Sequence, residues 1–327
     1  MDSKYNYVFF NQADYRFGSG DRKGYYSICL RDLEQVDNVR VYTSIYENLN
    51  FFSRWLYLFL SRLLNGKKWN NFWYKKADFY KGWKANKPLC FVFIAYLPVD
   101  YLCWLRNNYP AAKFVMFIRD LVATRPEIIK NIQDSGVIDK WISYDQGDAD
   151  QYGFFFYPEI ESKLDLPVPS VCEYDVFFAG VAKKRLPQIV ATYDKLVDLG
   201  LKCNFYIKVN KGDQIIDRAG IHYSSVFMKY EDILKENLRA NCILEINQEG
   251  AVGNTARFLE AVMYNKRLIT NNLSLKESKF YNPKYICLYT NPEDINDDFF
   301  KENGVIDYNY NDEFSPLGLV HFIETIL

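Results

Sequence analysis

Residues 242–272 read CILEINQEGAVGNTARFLEAVMYNKRLITNN, and this stretch decides the fold class. The apolar run CILEI is typical of a buried strand, ARFLEAVM has the periodicity of an amphipathic helix, and KRLITNN is again strand-like. A strand, a helix and a second strand in this order predict two parallel strands joined by a crossover helix. The same alternation extends in both directions along the chain.

The alternation occurs twice, on either side of a segment that contains Pro158, Pro167 and Pro169. The strand-like runs before this segment are YNYVFF (5–10), VRVYTSI (39–45), LCFVFIAYL (89–97), KFVMFI (113–118) and KWISY (140–144). After it, YDVFFAG (174–180) restarts the pattern. We therefore predict an α/β protein with two Rossmann-like parallel-sheet domains. The predicted domains are residues 1–165 and 166–313, with a helix at 314–327 that packs back on the first domain.

Composition and charge exclude several classes of protein. With 327 residues, 49% of them hydrophobic, the chain is long enough to bury a core in each of two domains. The formal net charge of −1 argues against a generally cationic nucleic-acid binder, so we predict no nucleic-acid partner. The seven cysteines form no C-x-x-C pair and there are two histidines, so neither a zinc site nor a disulfide framework is predicted.

The targeting features of the sequence favour a cytoplasmic protein. The N-terminal residues MDSKYNYVFFNQ lack the basic segment and apolar core of a secretory signal. No run of about 18 apolar residues occurs, so no membrane-spanning helix is expected. The scattered cysteines fit a reducing compartment.

Arg257 is unusual because it lies in the first turn of the predicted helix. A cation there opposes the helix dipole, at a cost of roughly a few tenths of a kcal/mol. One partner that offsets this cost is Glu260, three residues on and on the same predicted polar face. The other is a phosphate held by the backbone amides of the turn at Gly253, Asn254 and Thr255, where either of the last two fits the N-cap.

A second loop has the same character. YDVFFAG ends at Gly180, and Lys183, Lys184 and Arg185 follow before the next helix. On its own this is a solvated basic turn. Because open α/β sheets bind ligands at the carboxyl ends of their strands, two such loops in one sheet favour a pyrophosphate pocket.

Taken together, these segments resemble the GT-B glycosyltransferases. In that family the second domain opens with a strand, a glycine and a basic loop. A glycine-rich loop, a helix with Glu-Ala and a strand ending in Thr-Asn come later. The resemblance is carried by YDVFFAG (174–180), ILEINQEGAVGNTARFLEAVMYNKRLITNN (243–272) and KWISYDQGDADQYGFFFYP (140–158). More narrowly, the chain is similar to bacterial enzymes that assemble capsular polysaccharide, lipopolysaccharide and O-antigen.

The resemblance implies two domains facing across a cleft, with the acceptor in the first and a nucleotide-sugar donor in the second. Glu260, which matches the Glu of the Glu-Ala pair, would bond the ribose hydroxyls, and Arg257 and Thr255 would contact the diphosphate. Many members separate two glutamates by seven residues, whereas Glu249 and Glu260 are separated by ten, so Glu249 departs from the pattern. The implied donor-binding set is Gly180, Lys183, Arg185, Glu249, Gly253, Asn254, Thr255, Arg257 and Glu260.

Sugar transfer requires cations or backbone amides to stabilise the leaving nucleoside diphosphate, so no metal or other cofactor is predicted. An inverting reaction also needs a base. The candidates at predicted strand ends are Asp14, Asp120 and Asp145, each of which is alternatively a helix cap or loop residue. Asp148 and Asp150 resemble a metal-binding Asp-x-Asp pair, but they precede a helix rather than join two strands.

The loop GSGDRKG (18–24) is close to a dinucleotide-binding fingerprint. Its last glycine is one residue late, and the loop starts too far from the preceding strand for the tight turn of that motif. A flexible loop of the cleft fits better, with Gly20 and Arg22 near the donor phosphate or the acceptor.

Residues 51–87 form an aromatic and basic segment. It contains four of the six tryptophans and nine Lys or Arg against one Asp. The segment is too short and too charged to span a bilayer, and its composition favours a helix that lies at an anionic membrane surface. A buried helix followed by a basic hairpin is the alternative. A single-stranded nucleic-acid platform ranks last.

The sequence therefore predicts a glycosyltransferase that is peripheral at the inner face of the cell membrane. It would move a sugar from a nucleotide-sugar donor to a glycan or polyprenyl-linked acceptor during synthesis of a surface polysaccharide. Two alternatives stay open. One is a nucleotide-sugar epimerase of the same fold, and the other is a non-catalytic protein that binds sugar nucleotides or lipid.

Overall fold

A computed structural model describes residues 3–11, 28–42, 55, 59, 78–210, 212–213, 215–247, 253–301 and 304–327. The chain divides into two compact units. The first unit comprises Met1–Ser162 and Phe314–Leu327, and the second comprises Lys163–Glu313. Each unit is built around one parallel sheet, as the repeated alternation of strands and helices predicts.

The first unit contains a six-stranded, all-parallel sheet with the order β2-β1-β3-β4-β5-β6. Its strands are β1 (Asn6–Phe10), β2 (Val39–Tyr42), β3 (Leu89–Phe93), β4 (Lys113–Ile118), β5 (Lys140–Ser143) and β6 (Phe155–Phe156). Among the described residues, the α-helices that follow β3 are α1 (Val99–Asn108), α2 (Pro126–Asp134) and α3 (Gln146–Tyr152), and short 3-10 helices lie at Arg31–Gln35 and Val122–Thr124. Both faces of β1 and β3 are buried, which explains their unbroken apolar runs.

The last helix of the chain belongs to the first unit. Within the amphipathic segment 314–327, α8 (Pro316–Ile326) begins after Ser315, whose hydroxyl accepts the Leu317 amide. Leu319, Val320 and Ile323 are fully buried in one cluster with side chains of β1. The helix therefore completes one face of the first sheet, although the chain builds the whole second unit before reaching it.

The second unit contains a six-stranded, all-parallel sheet with the order β12-β11-β10-β7-β8-β9. Its strands are β7 (Tyr174–Val181), β8 (Cys203–Lys208), β9 (Ile221–Ser224), β10 (Ala240–Glu245), β11 (Arg267–Thr270) and β12 (Ile286–Leu288). Its α-helices are α4 (Leu186–Asp198), α5 (Tyr230–Arg239), α6 (Ala256–Met263) and α7 (Asp298–Lys301). Short 3-10 helices lie at Lys183–Arg185, Leu273–Glu277 and Pro292–Asp294.

The order of the strands reverses between β7 and β10. From β7 the chain adds β8 and β9 on one side, and it then returns to add β10, β11 and β12 on the other. At such a switch point the two crossovers leave in opposite directions, and a crevice opens beyond the carboxyl ends of the two strands. This crevice lies between the basic loop after β7 and the loop after β10.

The predicted fold class, with two Rossmann-like parallel-sheet domains, is confirmed. Strands β6 and β9 were not predicted, because a two-residue strand and the polar run IHYS carry little strand signal. Within the described residues, no helix is long and apolar enough to cross a membrane.

Candidate functional site

Arg185 lies at the switch point of the second sheet. Its guanidinium donates one hydrogen bond to the carbonyl of Val181, at the end of β7, over 2.9 Å, and another to the carbonyl of Ile246, just beyond β10. The side chain thus bridges the two strands whose ends form the crevice. No carboxylate pairs with it among the described residues, and burial lowers its pKa. Because arginine stays protonated in proteins, the crevice contains a fixed positive charge that no carboxylate of the described residues balances.

The residues around Arg185 set the shape of the crevice. Gly180 is required because a Cβ there would lie 2.6 Å from the ring of Phe178. Lys184 is exposed, and the side chain of Lys183 lies outside the described part of the chain. Asn247, directly after Ile246, contains a buried amide nitrogen that lacks a hydrogen-bond partner among the described residues. A cation and an unused donor therefore lie at adjacent positions of the crevice.

Glu245 is the last residue of β10, and its carboxylate caps the start of α6 although it lies about ten residues earlier in the chain. Its carboxylate accepts hydrogen bonds from the hydroxyls of Thr255 and Thr270 and from the backbone amide of Phe258. Thr255 is the N-cap residue of α6, but its hydroxyl makes no capping bond and turns to Glu245 instead. The negative charge at the start of α6 is therefore supplied by a neighbouring strand.

Arg257 and Glu260 form an ion pair in the first turns of α6. Glu260 is fully buried, and the side chain of Asn237 on α5 also donates to its carboxylate over 2.6 Å. The expectation that Glu260 shares an exposed polar face with Arg257 is wrong, because α5 packs over that face. Arg257 itself is largely buried, with its guanidinium 5.9 Å from the ring of Tyr230.

The charge of Arg257 thus acts on two buried carboxylates, those of Glu260 and Glu245. Burial raises the pKa of both Glu245 and Glu260, and the charge of Arg257 opposes that rise in each case. The amide of Phe258 and the hydroxyl of Thr255 are already used by Glu245. A phosphate at this helix end would therefore depend on the remaining amides of the turn and on Arg257 leaving Glu260.

Two asparagine side chains form hydrogen bonds between the loops that surround the start of α6. The amide of Asn272 donates to the carbonyl of Gly253 over 3.3 Å, and the side chain of Asn271 accepts the backbone amide of Asn247 over 2.7 Å. Asn254, which lies between Gly253 and Thr255, is partly exposed. These bonds join the loops after β10 and β11 at the carboxyl edge of the sheet.

An exposed aromatic residue lies farther along the same edge. Phe227 follows β9, and 66% of its side chain is exposed. The ammonium of Lys208, at the end of β8, lies 5.0 Å from the centre of its ring, and Tyr206 holds the loop by donating to the carbonyl of Val226 over 3.0 Å. The pair of Lys208 and Phe227 was not predicted from the sequence. Because β9 was not recognised, Phe227 could not be placed at the carboxyl end of a strand.

The carboxylates of the first unit differ in their surroundings. Asp145 is buried and is the N-cap of α3, accepting the amide of Asp148 over 3.0 Å. Asp148 in turn accepts the amide of Val122 over 2.7 Å, and Asp150 is bonded by Gln146. Asp120 is exposed directly after β4. Within the described residues, no group of three or more His, Cys, Asp or Glu is placed to hold a metal.

Several predicted residues lie outside the described part of the chain. They are Asp14, Gly20, Arg22 and Glu249, together with most of the aromatic, basic segment 51–87. Within that segment Trp55 and Phe59 are helical and are 55% and 49% exposed. Their rings stack with centroids 5.4 Å apart and an interplanar angle of 7°. Two large aromatic rings are thus presented together to solvent.

No protein-family model matches the sequence, and no curated protein matches it. Sucrose-phosphate synthase from Thermosynechococcus elongatus is similar in fold, with 9% identity and a TM-score of 0.51 over 98% of each chain. A putative UDP-N-acetylglucosamine 2-epimerase from Listeria monocytogenes has 9% identity and a TM-score of 0.48, over 98% of this chain and 96% of that chain. A UDP-forming α,α-trehalose-phosphate synthase from Burkholderia vietnamiensis has 9% identity and a TM-score of 0.46, over 98% and 93%.

Two other solved structures that the chain matches are longer proteins. The chain spans 51% of a glycosylation-associated protein from Streptococcus agalactiae and 52% of TarM from Staphylococcus aureus. At identities near 10% the similarity concerns the fold. That fold, with two Rossmann-like domains, is the one that GT-B glycosyltransferases share.

Proposed function

We propose that the protein is a glycosyltransferase that takes its sugar from a nucleotide-sugar donor. The observation that carries the proposal is the guanidinium of Arg185, which bridges the ends of β7 and β10 and lacks a carboxylate partner among the described residues. The diphosphate of a nucleotide sugar supplies the missing charge, and arginine suits it because its planar donors match phosphate oxygens. The fixed cation then stabilises the charge that develops as the nucleoside diphosphate leaves.

The donor extends along the carboxyl edge of the second sheet in this proposal. The diphosphate lies at Arg185, beside the side-chain amide of Asn247, which no described residue uses, and Lys183 and Lys184 precede Arg185 in the same loop. The exposed ring of Phe227 offers a face on which the nucleobase stacks. Gly253 and Asn254 provide the turn that approaches the ligand from the other side.

Arg257 and Glu260 have a conditional role in this proposal. In this structure they are paired with each other, and Thr255 is bonded to Glu245. When the donor binds, Arg257 turns to the diphosphate and Glu260 becomes available to the ribose hydroxyls. Glu249 is retained as a candidate for the sugar.

We assign the acceptor to the first unit. Among the described base candidates, Asp120 is favoured because it is exposed at the end of a strand, whereas Asp145 is buried as a helix cap. The acceptor is a growing glycan, attached to a polyprenyl lipid or free, in the synthesis of a capsular or lipopolysaccharide sugar chain. Asp120→Asn is expected to lower kcat for transfer while leaving the affinity for the donor unchanged.

A panel of nucleoside diphosphates and intact sugar nucleotides tests the donor site. Binding by at least one of them is expected to raise the melting temperature, because a ligand that binds only the folded state stabilises it. With an acceptor glycan, the same sugar nucleotide is expected to release its nucleoside diphosphate. If no compound binds, the donor site is wrong. If a sugar nucleotide binds and is epimerised without release of the nucleotide, the protein is an epimerase.

We further propose that residues 51–87 bring the enzyme to the inner face of the membrane. The stacked, exposed rings of Trp55 and Phe59 lie in a segment with nine Lys or Arg and one Asp, which suits the headgroup region of anionic lipid. The protein is expected to float with phosphatidylglycerol vesicles more than with phosphatidylcholine vesicles. The double substitution Trp55→Ser and Phe59→Ser should weaken flotation, and Tyr152→Ser, at an exposed ring elsewhere, should not. Failure of the unaltered chain to float would contradict the proposal.

A further inference from the structure

Lys266 is a buried lysine at the amino edge of the second sheet, opposite the donor crevice. Only 7% of its surface is exposed, and its Nζ donates to the carbonyls of Leu238 and Ala240, each over 2.7 Å. No carboxylate contacts Nζ within the part of the chain that the structure describes. Burial lowers the pKa of Lys266, because a charged amine is disfavoured away from water.

Cys172 is the third neighbour of that amine. Its Sγ lies 3.7 Å from Nζ of Lys266, in the bend that precedes β7. Cys172 is half-buried, so small oxidants can reach it from solvent. Cys203 and Cys287 are also half-buried, but neither contacts a lysine among the described residues, and burial raises their pKa to about 12 and about 11.

The two carbonyls determine which part of the amine faces the sulfur. A neutral lysine has two N–H groups and one lone pair in a roughly tetrahedral arrangement. The Nζ of Lys266 donates to the carbonyls of Leu238 and Ala240 and also toward Sγ of Cys172. Once the proton that faces the sulfur is lost, the lone pair of the nitrogen points toward Cys172. A nucleophilic nitrogen is thus held beside an accessible sulfur.

We propose that Cys172 and Lys266 form a sulfur–nitrogen cross-link when hydrogen peroxide oxidises Cys172. In the first step the sulfur attacks the peroxide, the O–O bond breaks, and a sulfenic acid and one water form. In the second step the lone pair of Lys266 attacks that sulfur, the S–O bond breaks, and the leaving hydroxide takes a proton from nitrogen as a second water. Sulfur is oxidised by two electrons and the peroxide is reduced to two waters.

The cross-link joins two distant parts of one unit. It connects the segment before β7 to the start of β11, across 94 residues of sequence. A covalent link of this kind restricts the unfolded chain and stabilises the folded one. Excess thiol reverses it, because two thiols reduce the S–N bond to free cysteine and lysine and leave a disulfide. The proposal is independent of the proposed function, since both residues lie away from the crevice.

Peptide mapping of the full chain after treatment with hydrogen peroxide tests the cross-link. We expect the peptide with Cys172 to be joined to the peptide with Lys266, at a combined mass lower by two hydrogen atoms, and dithiothreitol to restore both. The peptide with Cys203 should remain separate under the same conditions. The melting temperature of the second unit should rise on oxidation. The proposal is overturned if Cys172 stays reduced or proceeds to sulfinic acid without joining Lys266.

A trapping experiment supports the assignment without relying on stability. Lys266→Met retains the apolar stem and removes the amine, so a cyclic 1,3-dione should label the sulfenic acid of Cys172 more strongly than in the unaltered protein. Cys172→Ser should lose both the label and the cross-link. Equal labelling of the unaltered chain and of folded Lys266→Met would contradict a role for the amine.

Discussion

Arg257 has a clear reason to lie in the first turn of α6. Two carboxylates, from Glu260 one turn later and from Glu245 on β10, surround the start of the helix. Glu260 was predictable as a partner of Arg257, because residues three positions apart are neighbours on a helix. Glu245 was not, because its contact with α6 depends on how the helix packs against β10, and that packing is a tertiary effect. The two carboxylates offset the unfavourable position of Arg257 on the helix dipole.

The burial of Glu260 predicts how stability depends on pH, because burial raises the pKa of its carboxyl more than Arg257 lowers it. The pKa of Glu260 is raised in the folded state, so the folded protein holds the proton more tightly than the unfolded chain does. This contribution is fully present below the unfolded pKa of about 4.3 and is lost as pH rises through the raised folded value. Glu260→Gln cannot titrate, so its stability relative to the unaltered protein should increase as pH rises through that window. Urea unfolding at several pH values measures the difference.

A surface glutamate in the same unit provides the control for this experiment. Glu277 is exposed, and Glu277→Gln should change the free energy of unfolding by no more than about 0.5 kcal/mol at any pH. A difference between Glu260→Gln and the unaltered protein that stays constant from pH 4 upwards would contradict the raised pKa.

Arg185 is the residue for which the donor site makes its sharpest prediction. Arg185→Met keeps the apolar stem and removes the charge, so the affinity for the bound nucleotide should fall roughly 10-fold to 100-fold, the value of a hydrogen bond to a charged group. Isothermal titration measures the change. Arg218→Met is the matched control, because Arg218 is paired with Asp194 near the opposite edge of the sheet. Equal affinity in both variants would remove Arg185 from the site.

Among the helices and strands, α6 shows which structural features the hydrophobic periodicity of the sequence can predict. The helix, its strand neighbours and an N-cap at Asn254 or Thr255 follow from sequence pattern, because each depends on residues close in the chain; the structure places the N-cap at Thr255. The function of the N-cap hydroxyl does not follow, since Thr255 bonds to Glu245 and leaves its own helix uncapped by a local side chain. The same limit applies to Asp145, where a strand-end aspartate that suggested a base caps α3.

The cap from Glu245 predicts a measurable cost for a small change. Thr255→Val removes a donor to a buried carboxylate while keeping the shape of the side chain. The free energy of unfolding should fall by about 1.5–3 kcal/mol, since bonds to charged groups are the stronger ones. Thr325→Val, at an exposed position of α8 where the hydroxyl bonds the carbonyl of Phe322, should cost less than about 0.5 kcal/mol. Similar losses in the two variants would contradict this reading of Thr255.

At the scale of the whole molecule, the first unit depends on the far end of the sequence. Leu319, Val320 and Ile323 are fully buried against the first sheet. Each buried side chain contributes about 1.5–3 kcal/mol, and the sum is comparable with the stability of a typical domain, about 5–15 kcal/mol. Removal of residues 314–327 should therefore abolish the unfolding transition of the first unit and spare that of the second.

Calorimetry of the truncated chain distinguishes the two units. The full chain with His321→Ala and Thr325→Ala, both exposed positions of α8, should keep both transitions. Two intact transitions in the truncated chain would mean that α8 is dispensable.

Two Rossmann-like domains were predictable from the sequence because the pattern of strands and helices restarts after the prolines. The switch point between β7 and β10 was not, because strand order is a property of the assembled sheet.

The return of α8 to the first sheet also constrains how the protein is made. A ribosome synthesises β1 to β6 early, yet the helix that covers them emerges only after all of residues 163–313. Domains generally fold as units, and those nearer the N-terminus fold first during translation. In this protein the apolar face of the first sheet that α8 later covers stays exposed while the ribosome synthesises the second unit. A chaperone that binds exposed apolar strands is therefore expected to associate with nascent chains longer than about half of the sequence, and to leave them when α8 emerges.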